Sequence, residues 1–119
     1  MITCTTDPTD GMVELTVEGG VTRADYDAVV AELDRAIAAS GKLRLVEVIR
    51  DLGPIDSSVW WQDIKWAWTH VKHVARCAVV TDKGWIGPVT RAAGALIAAE
   101  IRVFPLAELD AARAWVRGR

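Results

Sequence analysis

Leu43-Arg-Leu-Val-Glu-Val-Ile49 is the stretch on which the fold turns. A half-exposed strand alternates apolar and polar residues. Here Val46 follows Leu45 and Ile49 follows Val48, so the run is nearly continuous and belongs to a strand covered on both faces, as in a parallel sheet packed between helices. Ala78-Val79-Val80 has the same character further along, and Ile101, Val103 and Phe104 supply a last short strand. Toward the amino end the pattern is different. Ile2 and Cys4 alternate with Thr3 and Thr5, and Val13, Leu15 and Val17 alternate with Glu14, Thr16 and Glu18. The turn signals Asp7-Pro8 and Asp10-Gly11 lie between, which makes the pair a hairpin.

Helical spacing fills the intervals between the later strands. Thr22-Arg-Ala-Asp25 has the form of a capping box with Asp in the place usually held by Glu. Behind it Tyr26, Val29, Val30, Leu33 and Ile37 recur on one helical face, and Gly41 is a fitting stop. After the loop Asp51–Asp56, a helix is expected from about Ser57 to Val74. Another is expected over Trp85–Glu100, with Pro88 in its first turn, and a final one over Ala107–Arg117 with Leu109, Ala112, Trp115 and Val116 inward. The expectation is an α/β domain of order ββαβαβαβα, with four helices and a mostly parallel sheet carrying an antiparallel N-terminal strand. Tyr26, Leu33, Leu45, Val48, Val79, Val80 and Leu96 are its expected core.

The bulk composition bounds the function. A chain of 119 residues fits one domain over 1–119 and can bury a core without metal or disulfide staples. A formal charge of −2 argues against nucleic acid as a partner. Cys4 and Cys77 stand far apart with no zinc-site or disulfide spacing. The start MITCTTDPTD lacks the basic and apolar regions of a signal peptide, and no run reaches the ~18 apolar residues of a membrane span. A cytoplasmic protein is expected, with no cofactor.

The segments GGVTRADYDAVVAELDRAI, WWQDIKWAWTHVKHVARCAVVTDKGW and IRVFPLAELDAARAW resemble the SpoIIAA-like family, relatives of the STAS domains of anti-sigma factor antagonists. The likeness runs over nearly the whole chain from Val13 and is carried by core positions and caps. It implies a STAS-like fold and a small bacterial protein without established enzymatic activity, associated with membranes or apolar ligands. Ile55-Asp-Ser-Ser58 also resembles the antagonist motif in which a serine at a helix N-terminus accepts phosphate, which makes Ser57 and Ser58 the candidate phosphoacceptors. A helix N-terminus would stabilise the added charge. The antagonists continue with Gly-Leu, whereas Val59-Trp60-Trp61 follows here, so a partner kinase would meet two bulky rings. As structure alone, Asp56 or Ser57 is an ordinary N-cap worth about 1 kcal/mol.

Four of the six tryptophans fall within Trp60–His70. On a helix Trp60, Ile64, Ala67 and Val71 share a face, which is core by default. Trp61, Lys65, Trp68 and Lys72 form a stripe along its edge, where lysine stems can lie over indole rings while the charges stay wet. Trp66 falls on the far side with Gln62, Thr69, His70 and His73. A tryptophan there, on a helix already rich in them, points to an apolar contact with a second copy or a ligand, and plain packing is the equal alternative for the passage.

Other candidates are weaker. His70 and His73 share a face but lack a third ligand, so no metal is expected. Glu47 interrupts a buried strand and calls for a partner such as an arginine. Asp51 and Asp82 each follow a buried strand at the carboxyl edge, where open α/β sheets bind ligands, and with Asp56 and Trp85 they could line one rim. Loop capping explains the aspartates equally well. There is no P-loop, GxGxxG, GxSxG or HExxH. The expected activity is non-enzymatic contact with an apolar partner through Trp61, Lys65, Trp66, Trp68, Lys72 and Trp85. That partner is a membrane surface, with the protein peripheral to it, a lipid-like ligand, or a second subunit in a homodimer. A phosphoswitch on Ser57 or Ser58 is the alternative, and a small-molecule enzyme using the aspartate rim stands third.

Overall fold

The computed structural model describes residues 1–51, 53, 65, 71–84 and 100–118. Five strands form one sheet: β1 (Ile2–Thr6), β2 (Val13–Val17), β3 (Leu43–Ile49), β4 (Val74–Thr81) and β5 (Glu100–Phe104), in spatial order β1-β2-β3-β4-β5. β1 pairs antiparallel with β2, and the three later junctions are parallel. The hairpin is thus the antiparallel edge of an otherwise parallel sheet, as the alternating and continuous patterns require. Two α-helices accompany the sheet among the described residues, α1 (Arg23–Ser40) and α2 (Leu109–Val116).

β3 occupies the centre, and its side chains divide two cores. Leu43 and Leu45 pack with Val13, Leu15, Val29 and Leu33 beneath α1. Val46 and Val48 pack with Met12, Ala78, Val80, Phe104, Ala112 and Val116 beneath α2. Both faces of the strand are therefore covered, which is why polar alternation is lost along it. Tyr26, Leu33, Leu45, Val48, Val79 and Val80 are buried as expected, and Leu96 lies outside the described residues.

The caps form as the residues dictate. Thr22 Oγ1 accepts from the Asp25 amide at 3.1 Å, and Asp25 returns a carboxylate oxygen to the Thr22 amide at 3.2 Å. At the other end Gly41 adopts φ 76° and donates its N–H to Ile37 O at 2.7 Å. That left-handed conformation suits glycine and closes the helix before β3. Leu109, Ala112, Trp115 and Val116 face or border the core, so the phase of the last helix matches the sequence pattern.

α2 is also pinned by charge. Arg113 makes a two-pronged contact to Glu14 on β2, with Nε and an η-nitrogen 2.7 and 2.9 Å from the two carboxylate oxygens. Arg117 reaches Asp10 at 2.7 Å and Asp7 at 2.8 Å in the hairpin turn. Hydrogen bonding to Glu14, then to Asp10, holds the two guanidiniums above their ordinary pKa. On the adjoining strands Arg44 and Arg76 donate to the carbonyls of Val116 and Trp115 at 2.5 and 2.6 Å. Cations thereby meet the negative end of the helix dipole and its free carbonyls.

Several expectations need correction. The described elements run ββαβββα with two α-helices, where the sequence pattern gave ββαβαβαβα with four. The helices expected over 57–74 and 85–100 fall almost wholly outside the described residues, though Lys65 is helical. Residues Val71–His73 form a 3-10 turn and β4 starts at Val74, where a helix was expected to run on to Val74 and the strand to begin at Ala78. The ladder explains the early start, because Val74 is the partner of Leu43 and the strand must span the whole of β3. Likewise Glu100 opens β5 opposite Arg76 and does not end a helix. The last helix is preceded by a 3-10 turn at Leu106–Glu108, so its α-helical part begins at Leu109, two residues after Ala107.

Two measurements test this packing. Leu33→Ala should lower stability by about 2–5 kcal/mol in chemical denaturation, through the cavity it leaves, and a loss below about 0.5 kcal/mol would contradict the burial. A double-mutant cycle on Glu14 and Arg113 should give a coupling of about 1 kcal/mol, above that of the exposed i,i+4 pair Arg23–Asp27. A third concerns pH. Backbone and side-chain hydrogen bonds from Thr22 lower the pKa of Asp25. A depressed folded-state value means that its contribution is present above the unfolded pKa and fades as pH falls through the folded one. The stability gap between wild type and Asp25→Asn should therefore narrow in acid, and a gap independent of pH would show that the capping box does not form.

Candidate functional site

The carboxyl edge of the parallel strands is where the sequence analysis places an aspartate rim, and two loops are locked together there. Gly19 donates to Asp51 O at 3.2 Å and Gly53 donates to Gly19 O at 2.8 Å. A side chain on Gly53 would meet the backbone of Gly19 and Gly20 at 2.9 Å, closer than a Cβ tolerates. Gly19 itself has φ 75°. Glycine is thus required on both sides of the contact, once for close approach and once for conformation. The α-ammonium of Met1 adds to the lacing by donating to Glu18 O at 2.7 Å and to Gly20 O. The chain leaving β3 toward Ser57 therefore departs from a fixed point on this edge.

The charged groups around that point are exposed and mutually paired. Lys83 Nζ lies 3.7 Å from Asp51, and Arg50 Nε lies 3.8 Å from Glu18. Asp51 and Asp82 follow strand ends that are neighbours in the ladder, Ile49 opposite Thr81. Their roles differ. Asp82 accepts the Leu106 amide at 3.0 Å, and so ties the end of β4 to the turn that precedes α2. Thr81, buried, accepts the Lys83 amide at 3.1 Å. The loop-capping account of Asp82 is therefore the one the geometry supports, while Asp51 with Lys83 forms a surface ion pair. Asp56 and Trp85, the other members of the expected rim, lie outside the described residues.

Of the expected contact residues, Lys65 is helical and exposed, and Lys72 is exposed in the turn before β4. The carbonyl of Lys72 accepts from Lys42 Nζ at 2.8 Å, which fastens this turn to the start of β3. Trp61, Trp66, Trp68, Trp85, Ser57 and Ser58 lie outside the described residues, as does His70. His73 is half-buried beside Lys72. Glu47 is half-buried and has an interaction partner.

No group of three or more metal-ligating side chains occurs among the described residues. Cys4 has its thiol pKa raised, first by burial and then by Glu32. That is the reverse of what an activated nucleophile needs. No described helix is long and apolar enough to cross a membrane.

The sequence pattern missed the cleft between the hairpin turn and α2. It is open, encloses about 460 Å³, and is lined by Thr5, Thr9, Met12 and Glu14 with Arg113 and Arg117. Its carboxylates already bind the two arginines. The spacing of Arg113 and Arg117 by one helical turn was the available signal, but nothing local ties it to acids some hundred positions earlier.

A crystallised, uncharacterised protein of Shewanella loihica with a SpoIIAA-like fold superposes on this chain with a TM-score of 0.68 at 23% identity, covering 87% of this chain and 84% of its own. That likeness bears on the fold. No curated protein matches the chain. The SpoIIAA-like family model matches residues 12–117, from the end of the hairpin turn through α2. With that match over the parallel sheet, both cores and both described helices, the chain belongs to the SpoIIAA-like family.

Proposed function

We propose that this protein is a regulatory or binding domain that docks an apolar partner through the tryptophan-rich segment 57–74. Family membership supports the coarser part, a non-enzymatic regulatory or binding domain. The observation that carries the finer part is the concentration of tryptophan: four of six lie between Trp60 and Trp68. If the segment is a helix, as its spacing leads one to expect, it would turn only about a third of its circumference to a sheet, and rings at positions 60 and 66 would not both be core. Lys65, exposed within this stretch, and Lys72, exposed after it, supply the cations that suit a lipid or anionic rim. The partner is a membrane surface, a lipid-like ligand or a second copy of the chain.

A second reading rests on a different observation. Gly53, shortly before Ser57, is held at the carboxyl edge by Gly19, where Arg50 and Lys83 are exposed and held only by long contacts to Glu18 and Asp51, which an added phosphate would compete with. Phosphate on Ser57 or Ser58 would find cations within reach of the chain, in keeping with the Ile55-Asp56-Ser57-Ser58 pattern.

Native mass spectrometry of the purified protein separates these readings, because it reports retained lipid, phosphate and dimer together. Trp60→Ala should lower Tm strongly by cavity formation. Trp66→Ala should leave Tm almost unchanged and yet weaken liposome binding or self-association. Lys65→Glu and Lys72→Glu should weaken binding to anionic vesicles and spare neutral ones. If acrylamide quenching finds Trp66 protected in a ligand-free monomer, the contact surface lies elsewhere. Absence of phosphate on Ser57 and Ser58 across growth conditions would dispose of the switch.

A further inference from the structure

Apart from Lys65, the described lysines and arginines fall into two groups. Arg23, Arg35, Arg50, Lys83, Arg113 and Arg117 each stand beside a carboxylate. At the amino edge of β3–β5 the situation is reversed. Lys42, Arg44, Lys72, Arg76 and Arg102 gather there from three separate parts of the chain, and Glu100, paired with Arg76 at 3.1 Å, is their one carboxylate partner among the described residues. The ladder makes the cluster: Arg44 is the register partner of Arg76, Arg76 of Glu100, and Arg102 lies two residues beyond Glu100 on the same face. Lys42 joins it through the Lys72 carbonyl. A chain of net charge −2 thus carries a concentrated positive pole.

Arg102 is the distinctive member. Its guanidinium lies over Phe104 at 5.0 Å and over Trp115 at 5.4 Å from the ring centroids. Arg76 lies 5.0 Å from the same Trp115 ring, and the two rings are themselves 6.1 Å apart. Stacking removes rotational freedom from a long side chain and leaves its N–H edge free, which prepares a planar fork for an oxyanion. Arg44 and Arg76 spend one donor each on the carbonyls ending α2, and Arg76 also gives its Nε–H to Glu100. Arg102 donates to none of the described acceptors and is exposed.

We propose that Arg102 and Arg76, mounted on Trp115 and backed by Arg44, Lys42 and Lys72, form a binding site for a phosphate-bearing ligand. A tetrahedral group with several charged oxygens matches the Arg102 fork together with the remaining donors of Arg76 on the adjacent strand better than a single carboxylate does. The site lies at the opposite edge of the sheet from Gly53 and draws on none of the tryptophans of segment 60–68, so it stands or falls independently of the apolar contact.

The test titrates the full chain with inorganic pyrophosphate at ionic strength held constant with sodium chloride. Arginine Nε–H and Trp115 indole resonances are followed by NMR, with the indole assigned through Trp115→Phe. Saturable shifts centred on Arg76, Arg102 and Trp115 are expected. Arg102→Gln should weaken binding about tenfold, the scale of one charge-assisted contact. Arg102→Lys should fall between, since it keeps the charge and loses the fork. Arg23→Gln, at the other edge, should bind like wild type. Competition by phosphatidic acid vesicles would name a lipid headgroup as the source, and binding of pyrophosphate without such competition would name a free phosphate compound. Shifts that do not saturate, that chloride reproduces, or that survive unchanged in Arg102→Gln overturn the proposal.

Discussion

β3 has a parallel neighbour on each edge and a helix against each face, and the rest of the described structure follows from covering it. Its inward residues sort by parity into two cores, one under α1 and one under α2. Neither helix can be lost without exposing half of the strand. The same constraint sets the length of β4, which must begin at Val74 to satisfy Leu43. Unpaired backbone groups at the centre of a sheet would cost more than the modest helix propensity of the preceding residues could return.

Covering β3 from the α2 side raises a local problem, because that helix is short. Eight residues bury only Ala112 and Val116 fully. A helix so brief is marginal by propensity alone. Polar contacts supplement it: Arg113 to Glu14, Arg117 to Asp7 and Asp10, and Arg44 and Arg76 to its last carbonyls. Those partners come from the hairpin, β3 and β4, so the C-terminal helix is tied to three earlier elements at once.

This explains what could be seen in the sequence and what could not. The hairpin, the capping box at Thr22, the stop at Gly41 and the buried strands each rest on neighbours within a few residues, where periodicity and caps operate. The inward face of α2 was legible for the same reason. The start of β4 was not, because residues 71–77 suit either a helix end or a strand, and the choice is made by a strand thirty positions earlier. The roles of Asp82 and Glu14 were hidden likewise. An aspartate after a strand looks the same whether it caps a distant turn or lines a ligand rim, and a glutamate on the outer face of a hairpin looks solvated until an arginine arrives from the far end of the chain.

The two edges of the sheet also differ in how their charges are settled. At the carboxyl edge acids and bases alternate closely, Glu18 with Arg50 and Asp51 with Lys83, so little field escapes. At the amino edge the parallel arrangement brings the starts of three strands together, and Lys42, Arg44, Lys72, Arg76 and Arg102 lie just before or within their first rungs of the ladder. Exposed ion pairs add little stability, so their presence or absence says little about folding. It says more about the field a ligand meets, because unpaired like charges sum over a Debye length of about 8–10 Å. Lys72 is common to the two proposed surfaces, since it stands in the stripe expected from the sequence and in the amino-edge cluster, whereas Arg102 belongs to the proposed anionic site alone. The apolar and the anionic contacts are therefore separable in principle, with a single lysine at their junction.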